Sequence, residues 1–188
     1  MKPILIFDIG ETLLNVDESR WHPLSEIDTF QDVLHQLEKG NVEADEFIEY
    51  LQYKSGLESD EVLEKFNSII LGTWKPGMEK LLSKLVAHDV HLLSNINPFH
   101  WNEVAGILEG RFQKAFLSHE LGCRKPESEI YTKVNDEIIL SGNQSPIVFF
   151  DDRLENIQAA RHFGWHAQQF KGAESAIKLL QSLGVKAV

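Results

Sequence analysis

Four consecutive apolar residues, Ile4-Leu5-Ile6-Phe7, run directly into Asp8 and then into Ile9-Gly10-Glu11-Thr12. A run this short, β-branched at two of its four positions, is too brief for a helix and suits a strand buried on both faces of a parallel sheet. Such a strand delivers Asp8 to its carboxyl end, the edge at which open α/β sheets bind ligands. An acid there, followed at once by a glycine and by the hydroxyl of Thr12, is positioned for chemistry. An aspartate that merely capped a turn would look the same in isolation, so the rest of the chain has to decide.

Further short apolar runs occur at Val90-His91-Leu92-Leu93, Ala115-Phe116-Leu117 and Pro146-Ile147-Val148-Phe149-Phe150, with a weaker one from His166 to Phe170. Between them lie segments whose apolar residues recur at helical spacing. This alternation predicts an α/β fold, a parallel sheet of about five strands with helices on both faces. The segment from about Asn15 to Trp74 reads differently. Acids are dense, and Phe30, Val33, Leu34 and Leu37, then Phe47, Ile48 and Leu51, then Val62, Leu63, Phe66, Ile69 and Ile70 recur at helical spacing, with breaks at Lys39-Gly40-Asn41 and Ser55-Gly56. No strand pattern is visible there. A helical insert placed straight after the first strand can lie over that strand's carboxyl end as a lid. The expected division is a core of 1–14 and 75–188 and an α-helical cap of 15–74, with Trp74-Lys75-Pro76-Gly77 turning the chain back into the core.

Charge and cysteine content narrow the function classes. With 29 acidic against 18 basic residues the net charge is −11, which disfavours nucleic acid and anionic membrane as partners and requires local positive groups to draw in any anionic substrate. The longest apolar runs are far short of the ~20 residues that span a bilayer, and the start lacks the long apolar segment of a secretory signal. A cytoplasmic protein is expected. The single cysteine, Cys123, allows no intrachain disulfide and reads as an incidental thiol. Monomer and dimer both remain open.

Four of the five predicted strands end in polar groups of complementary kinds: Asp8 with Thr12, Ser94 with Asn95, Lys125 a little beyond the third, and Asp151 with Asp152. Parallel strands bring those ends together. Carboxylates converging at one rim repel unless a cation neutralises them, and hard oxygen ligands at this density suit Mg2+. A lysine beside them would bind a phosphoryl oxygen and hold a nucleophile's charge in check.

In these four stretches the sequence resembles the haloacid dehalogenase-like hydrolase superfamily over nearly its whole length. The strings that carry the resemblance are Asp8-Ile9-Gly10-Glu11-Thr12, Leu93-Ser94-Asn95, Gly122-Cys123-Arg124-Lys125-Pro126 with Glu129-Ile130-Tyr131, and the run from Phe150-Asp151-Asp152 through Asn156 to Arg161. The resemblance implies a Rossmann-like core and a Mg2+-dependent phosphatase whose first aspartate attacks phosphorus, giving an aspartyl-phosphate that water hydrolyses. Asp8 would be the nucleophile and a metal ligand, with the Gly10 carbonyl, Asp151 and Asp152 completing the metal site and Asn156 steadying the acidic pair. Thr12, Ser94 and Asn95 would hold the phosphoryl group, and Lys125 would neutralise it. The substrate implied is a small phosphorylated metabolite. Ser94-Asn95 with His100 shortly after, and the Gly164-Trp165-His166 end, look most like a branch that includes sugar phosphatases acting on glucose 1-phosphate.

One position departs from the pattern. Most phosphatases of the superfamily carry a second aspartate two residues after the nucleophile, where this chain has Gly10. General acid-base catalysis is typically worth ~10²–10⁴ in rate, so its loss weakens such an enzyme without removing nucleophile, metal or lysine. Glu11, Asp17 and His22 are the nearest replacements. Two rival readings follow: a 2-haloacid dehalogenase, whose leaving halide needs no proton, and a weakly active or non-catalytic relative that still binds a phosphorylated ligand.

Overall fold

The structure is a computed structural model and describes residues 2–185. Its first strand, β1 (Ile4–Phe7), is followed by a short β2 (Leu14–Val16), then by α1 (Phe30–Glu38), α2 (Ala44–Ser55), α3 (Ser59–Asn67) and β3 (Ile70–Trp74). The chain continues through α4 (Met78–Lys84), β4 (Asp89–Ser94), α5 (Pro98–Leu108), β5 (Lys114–Leu117), α6 (Ser118–Leu121) and α7 (Ser128–Leu140). It closes with β6 (Ile147–Asp151), α8 (Leu154–Phe163), β7 (His166–Gln169) and α9 (Ala173–Ser182).

Five strands form one parallel sheet in the order β5-β4-β1-β6-β7. The Rossmann-like α/β architecture expected from the alternating pattern is therefore present. β1 lies at its centre, and Phe7 sits level with Leu92 on one neighbour and Phe150 on the other. That register puts Asp8, Ser94 and Asp151 at the same edge. Alternation along β1 divides the apolar contents: Leu5 and Phe7 join a cluster with Met78, Leu81, Val104 and Leu180, whereas Ile4 and Ile6 join Ile130, Tyr131, Val134 and Ile157 on the other face. Phe7 and Phe150 stack across the strands with centroids 4.9 Å apart.

The insert has an apolar cluster of its own. Phe30, Leu34 and Leu37, spaced four and three apart on α1, meet Phe47, Ile48 and Leu51 of α2, Val62 and Phe66 of α3, and Trp21. Gly56, at φ +72°, ends α2 in the left-handed conformation that favours glycine. The core reaches into this cluster through His100 of α5, whose ring stacks on Phe66 at 4.5 Å. Trp21 and His100 both donate to the Phe66 carbonyl, at 3.1 and 3.0 Å.

The expectation of no strand between residues 15 and 74 is corrected here. β2 and β3 pair antiparallel, Leu14 opposite Trp74 and Val16 opposite Ile70, so the two chain crossings into and out of the insert form a ribbon. The Asn15 amide reinforces it by donating to the Thr73 hydroxyl and the Trp74 carbonyl, at 2.9 and 3.0 Å. Ile69 and Ile70, expected at the end of a helix, lie beyond α3, which ends at Asn67: Ile69 falls in the turn, and Ile70 opens β3, where a β-branched residue is favoured. No described helix is long and apolar enough to cross a membrane.

Candidate active site

The carboxyl edge of the sheet gathers three carboxylates around one ammonium. Lys125 is 2% exposed, and its Nζ donates to Asp8 Oδ1 at 2.8 Å, to Asp151 Oδ2 at 2.6 Å and to the Leu93 carbonyl at 2.8 Å. All three donors of the ammonium are thus used. Asp151 is fully buried, and both its oxygens accept from Asn156 Nδ2 at 3.0 Å, with the Arg153 backbone N–H adding a third bond at 2.8 Å. Asn156 is itself held in place where the Tyr131 hydroxyl donates to its carbonyl at 2.9 Å.

The electrostatics of this group are unbalanced. Burial pushes Asp8 up to about 7; Lys125 pulls it down, but Asp151 and Asp152 push it further up. Asp152 is raised by burial and then by Asp151. Burial opposes the Lys125 charge, yet Asp151 and Asp8 outweigh it and hold the ammonium above its ordinary value. One oxygen each from Asp8, Asp151 and Asp152 lies within 4.8 Å of the others. Three acids with a single internal cation, offering only oxygen, fit a hard divalent ion of the Mg2+ or Ca2+ type.

Ser94, 3% exposed at the end of β4, lines the same cavity, and its hydroxyl has no protein partner among the described residues. Asn95 also lines it, but its amide is occupied: Oδ1 accepts from the Lys125 backbone N–H and Nδ2 donates to the Lys125 carbonyl, both at 2.8 Å. The side chain expected to grip a phosphoryl group instead clamps the loop that carries the lysine. Gly10 lines the cavity. Thr12 does not: it is fully enclosed, its hydroxyl has no partner, and it is absent from the cavity wall because the turn after Asp8 points it into the protein.

The three replacements considered for the acid missing at Gly10 lie elsewhere or are engaged. Glu11 lines the cavity, but its carboxyl accepts from the Val16 N–H and pairs with Lys75 at 2.7 Å. Burial raises it; Lys75 and Val16 outweigh that and keep it an anion. Asp17, half-buried, is bound to Ser19 and Arg20, and the exposed His22 faces Glu26 at 3.3 Å; neither Asp17 nor His22 lines the cavity. Cys123 is buried, and burial raises its thiol.

Beyond the carboxylates the cavity, about 200 Å³, is walled by residues that the linear sequence did not single out. α1 contributes Gln31, Leu34, His35 and Glu38, one face at helical spacing. The apolar periodicity around Leu34 was visible in the sequence; the destination of its polar neighbours was not. Glu38 ion-pairs with Arg124 at 2.9 Å, and the next residue, Lys39, pairs with Glu127 at 2.5 Å. Gly40 then packs so closely that a Cβ would lie 2.3 Å from the His119 carbonyl oxygen.

Comparison with known proteins places this geometry. A family model described as haloacid dehalogenase-like hydrolase matches residues 3–164. The chain is 27% identical to a D-ribitol-5-phosphate phosphatase of Bacteroides thetaiotaomicron, over 88% of this chain and 90% of that one. It is 29% identical to a sesquiterpene phosphatase of Aspergillus oryzae, over 85% of each. A HAD family enzyme of Bacteroides thetaiotaomicron, solved in complex with magnesium and inorganic phosphate, superposes with a TM-score of 0.78 at 26% identity, covering 95% of this chain and 99% of the other.

Proposed function

Because the chain belongs to the haloacid dehalogenase-like hydrolase family, we propose that it is a Mg2+-dependent phosphatase that hydrolyses a small phosphate monoester through an aspartyl-phosphate on Asp8. The observation that carries this reading is the buried Lys125 ammonium bonded at once to Asp8 and Asp151 at the carboxyl edge of adjacent strands. Asp8, the Gly10 carbonyl, Asp151 and Asp152 would hold Mg2+, which when bound supplies positive charge against the phosphoryl oxygens. Lys125 takes Asp8 Oδ1 and leaves Oδ2 without a protein partner among the described residues, so Oδ2 is the atom that attacks phosphorus. The bond from phosphorus to the leaving oxygen breaks as the new one forms, and water then attacks the aspartyl-phosphate to release phosphate and restore the carboxylate. Ser94 Oγ would hold a phosphoryl oxygen, and the Lys125 ammonium, its three donors already engaged, would offset the phosphoryl charge through space. Asn95 acts through Lys125 by fixing its backbone, and Asn156 keeps Asp151 oriented.

No carboxylate stands at Gly10 to protonate the leaving oxygen, so esters whose leaving group needs little help should turn over fastest. The division into a core of 1–14 and 75–188 and a cap of 15–74 belongs to this reading, the core breaking the ester and the cap selecting it. A sugar phosphate in the cytoplasm is the substrate proposed, in the manner of the glucose-1-phosphate phosphatase branch. The similarity to a phosphatase whose name is that of a pentitol phosphate supports it. The test is phosphate release from sugar phosphates, nucleotides and small phosphate esters with Mg2+, before and after chelation. Release that stops in EDTA and returns with Mg2+ is expected. Full activity in EDTA, or halide release from a 2-haloacid without phosphate release from any ester, would overturn the reading.

A further inference from the structure

Resting on that phosphatase reading, we propose that Glu38 and Arg124 determine specificity by binding hydroxyl groups of the leaving alcohol, so that the substrate is the phosphate ester of a small, uncharged, polyhydroxylated alcohol. The pair stands where the alcohol must lie, since both residues line the same cavity as Asp8 and Ser94, and Arg124 immediately precedes Lys125. The loop that sets the ammonium on the nucleophile therefore also presents the guanidinium to the rest of the substrate.

Three features of the pair point to a hydroxyl ligand. Its side chains are only 13 and 14% exposed, so both charges are largely desolvated. Their closest contact, 2.9 Å, joins Arg124 Nη2 to Glu38 Oε2 alone, and Arg124 Nε is buried with no partner among the described residues. A desolvated ion pair with unused donor and acceptor capacity is costly by itself. An alcohol relieves that cost, because one hydroxyl can donate to the carboxylate and accept from the guanidinium, and Gln31 and His35 on the same face of α1 extend the polar lining to a second hydroxyl. An anionic substituent gains little here, since the Arg124 charge is already met by Glu38. The size agrees: about 200 Å³ is below the ~300–1,000 Å³ usual for drug-sized ligands.

Apolar residues from other elements, among them Val16, Ile70 and Val104, line the cavity too, so a prenyl ester is the competing occupant. The experiment measures kcat/KM for ribitol 5-phosphate, n-pentyl phosphate and farnesyl phosphate, with Mg2+, in the wild type, in Glu38→Gln and in the double variant Glu38→Leu with Arg124→Leu. The wild type should prefer the polyol ester to each of the others by at least about tenfold, the range expected when a site built to bond a hydroxyl meets an analogue lacking it. The double variant should bring the polyol-to-pentyl ratio to about one, and Glu38→Gln, which keeps a hydroxyl acceptor, should retain part of it. A pair that served only to fasten α1 to the core would lower all three rates together and leave the ratio unchanged, which would overturn the proposal. Wild-type preference for either apolar ester would overturn it without any variant, and so would equal rates. Release from none of the esters would instead remove the phosphatase reading on which it stands.

Discussion

Residues 15–74 and the remainder of the chain handle charge in opposite ways. The insert carries fourteen acidic and four basic residues, ten of the eleven net negative charges, while the core carries fifteen and fourteen. In the insert most of those acids sit on exposed helix faces, as along Asp45, Glu46 and Glu49 of α2, where water screens their repulsion. The core is nearly neutral, yet it buries Asp8 and Asp151 within 2.8 Å of the Lys125 ammonium, where water screens them little. Every bond that fixes this group comes from core residues. The insert contributes to none of them and instead supplies Trp21, Gln31, Leu34, His35 and Glu38 to the cavity wall. Under the proposed reading bond breaking falls to the core, and substrate choice falls mostly to the insert, with Arg124 as the core's share of it, so a change in the insert should leave the bonds around Lys125 in place.

The largest break in that separation should come from Asp8→Asn. Phosphate release is expected to fall more than about a hundredfold, while urea unfolding changes little because Lys125 keeps its 2.6 Å contact to Asp151. Turnover above about a hundredth of wild type would remove Asp8 from the nucleophile's role.

Next in size is the junction where the core enters the insert. Burial pushes His100 down to about 4, against an ordinary value of 6.5, while its bond to Phe66 works the other way. Between those values the unfolded chain takes up a proton that the folded one refuses. Stability is therefore lost as pH falls from about 6.5 to about 4, by about 3 kcal/mol from this residue. Urea midpoints at pH 7 and pH 4 check it: His100→Gln, which can hold the Phe66 carbonyl without titrating, should lose less stability over the same span. Equal losses would show that His100 is not the source.

The smallest effect expected is a gain. Gly10 is not in the left-handed region, and a Cβ there would meet only Val16 Cγ2, at an ordinary 3.5 Å. Gly10→Asp should therefore be accommodated and should raise kcat several-fold for alkyl phosphates relative to p-nitrophenyl phosphate, whose leaving group needs no proton. No change in that ratio would mean that protonation of the leaving oxygen does not limit the rate.

What the sequence made legible follows the same division. Buried parallel strands announce themselves as unbroken apolar runs, so β1 and β6 and the aspartates behind them could be placed from the order of residues alone. The β2–β3 ribbon could not. It pairs three residues with five across a gap of more than fifty positions, and Gly72 at φ +65° interrupts any alternation. The use of Asn95 was equally hidden, since nothing in Ser94-Asn95 distinguishes an amide facing a ligand from one bonded to the backbone thirty residues on. Helical periodicity located the inward face of α1 but not the partners of Glu38 and Lys39, which depend on how the insert settles against a distant loop.

The tight seat of Gly40 against His119 has a further consequence. With Lys39 and Glu38 paired beside it and the β2–β3 ribbon joining the other end, the insert is fastened on two sides, and neither offers a doorway. The residues of the cavity wall that stand exposed are Glu18, Gln31 and Arg153, one acid, one amide and one base. Opposite charges at that margin favour neither an anionic nor a cationic solute over the other.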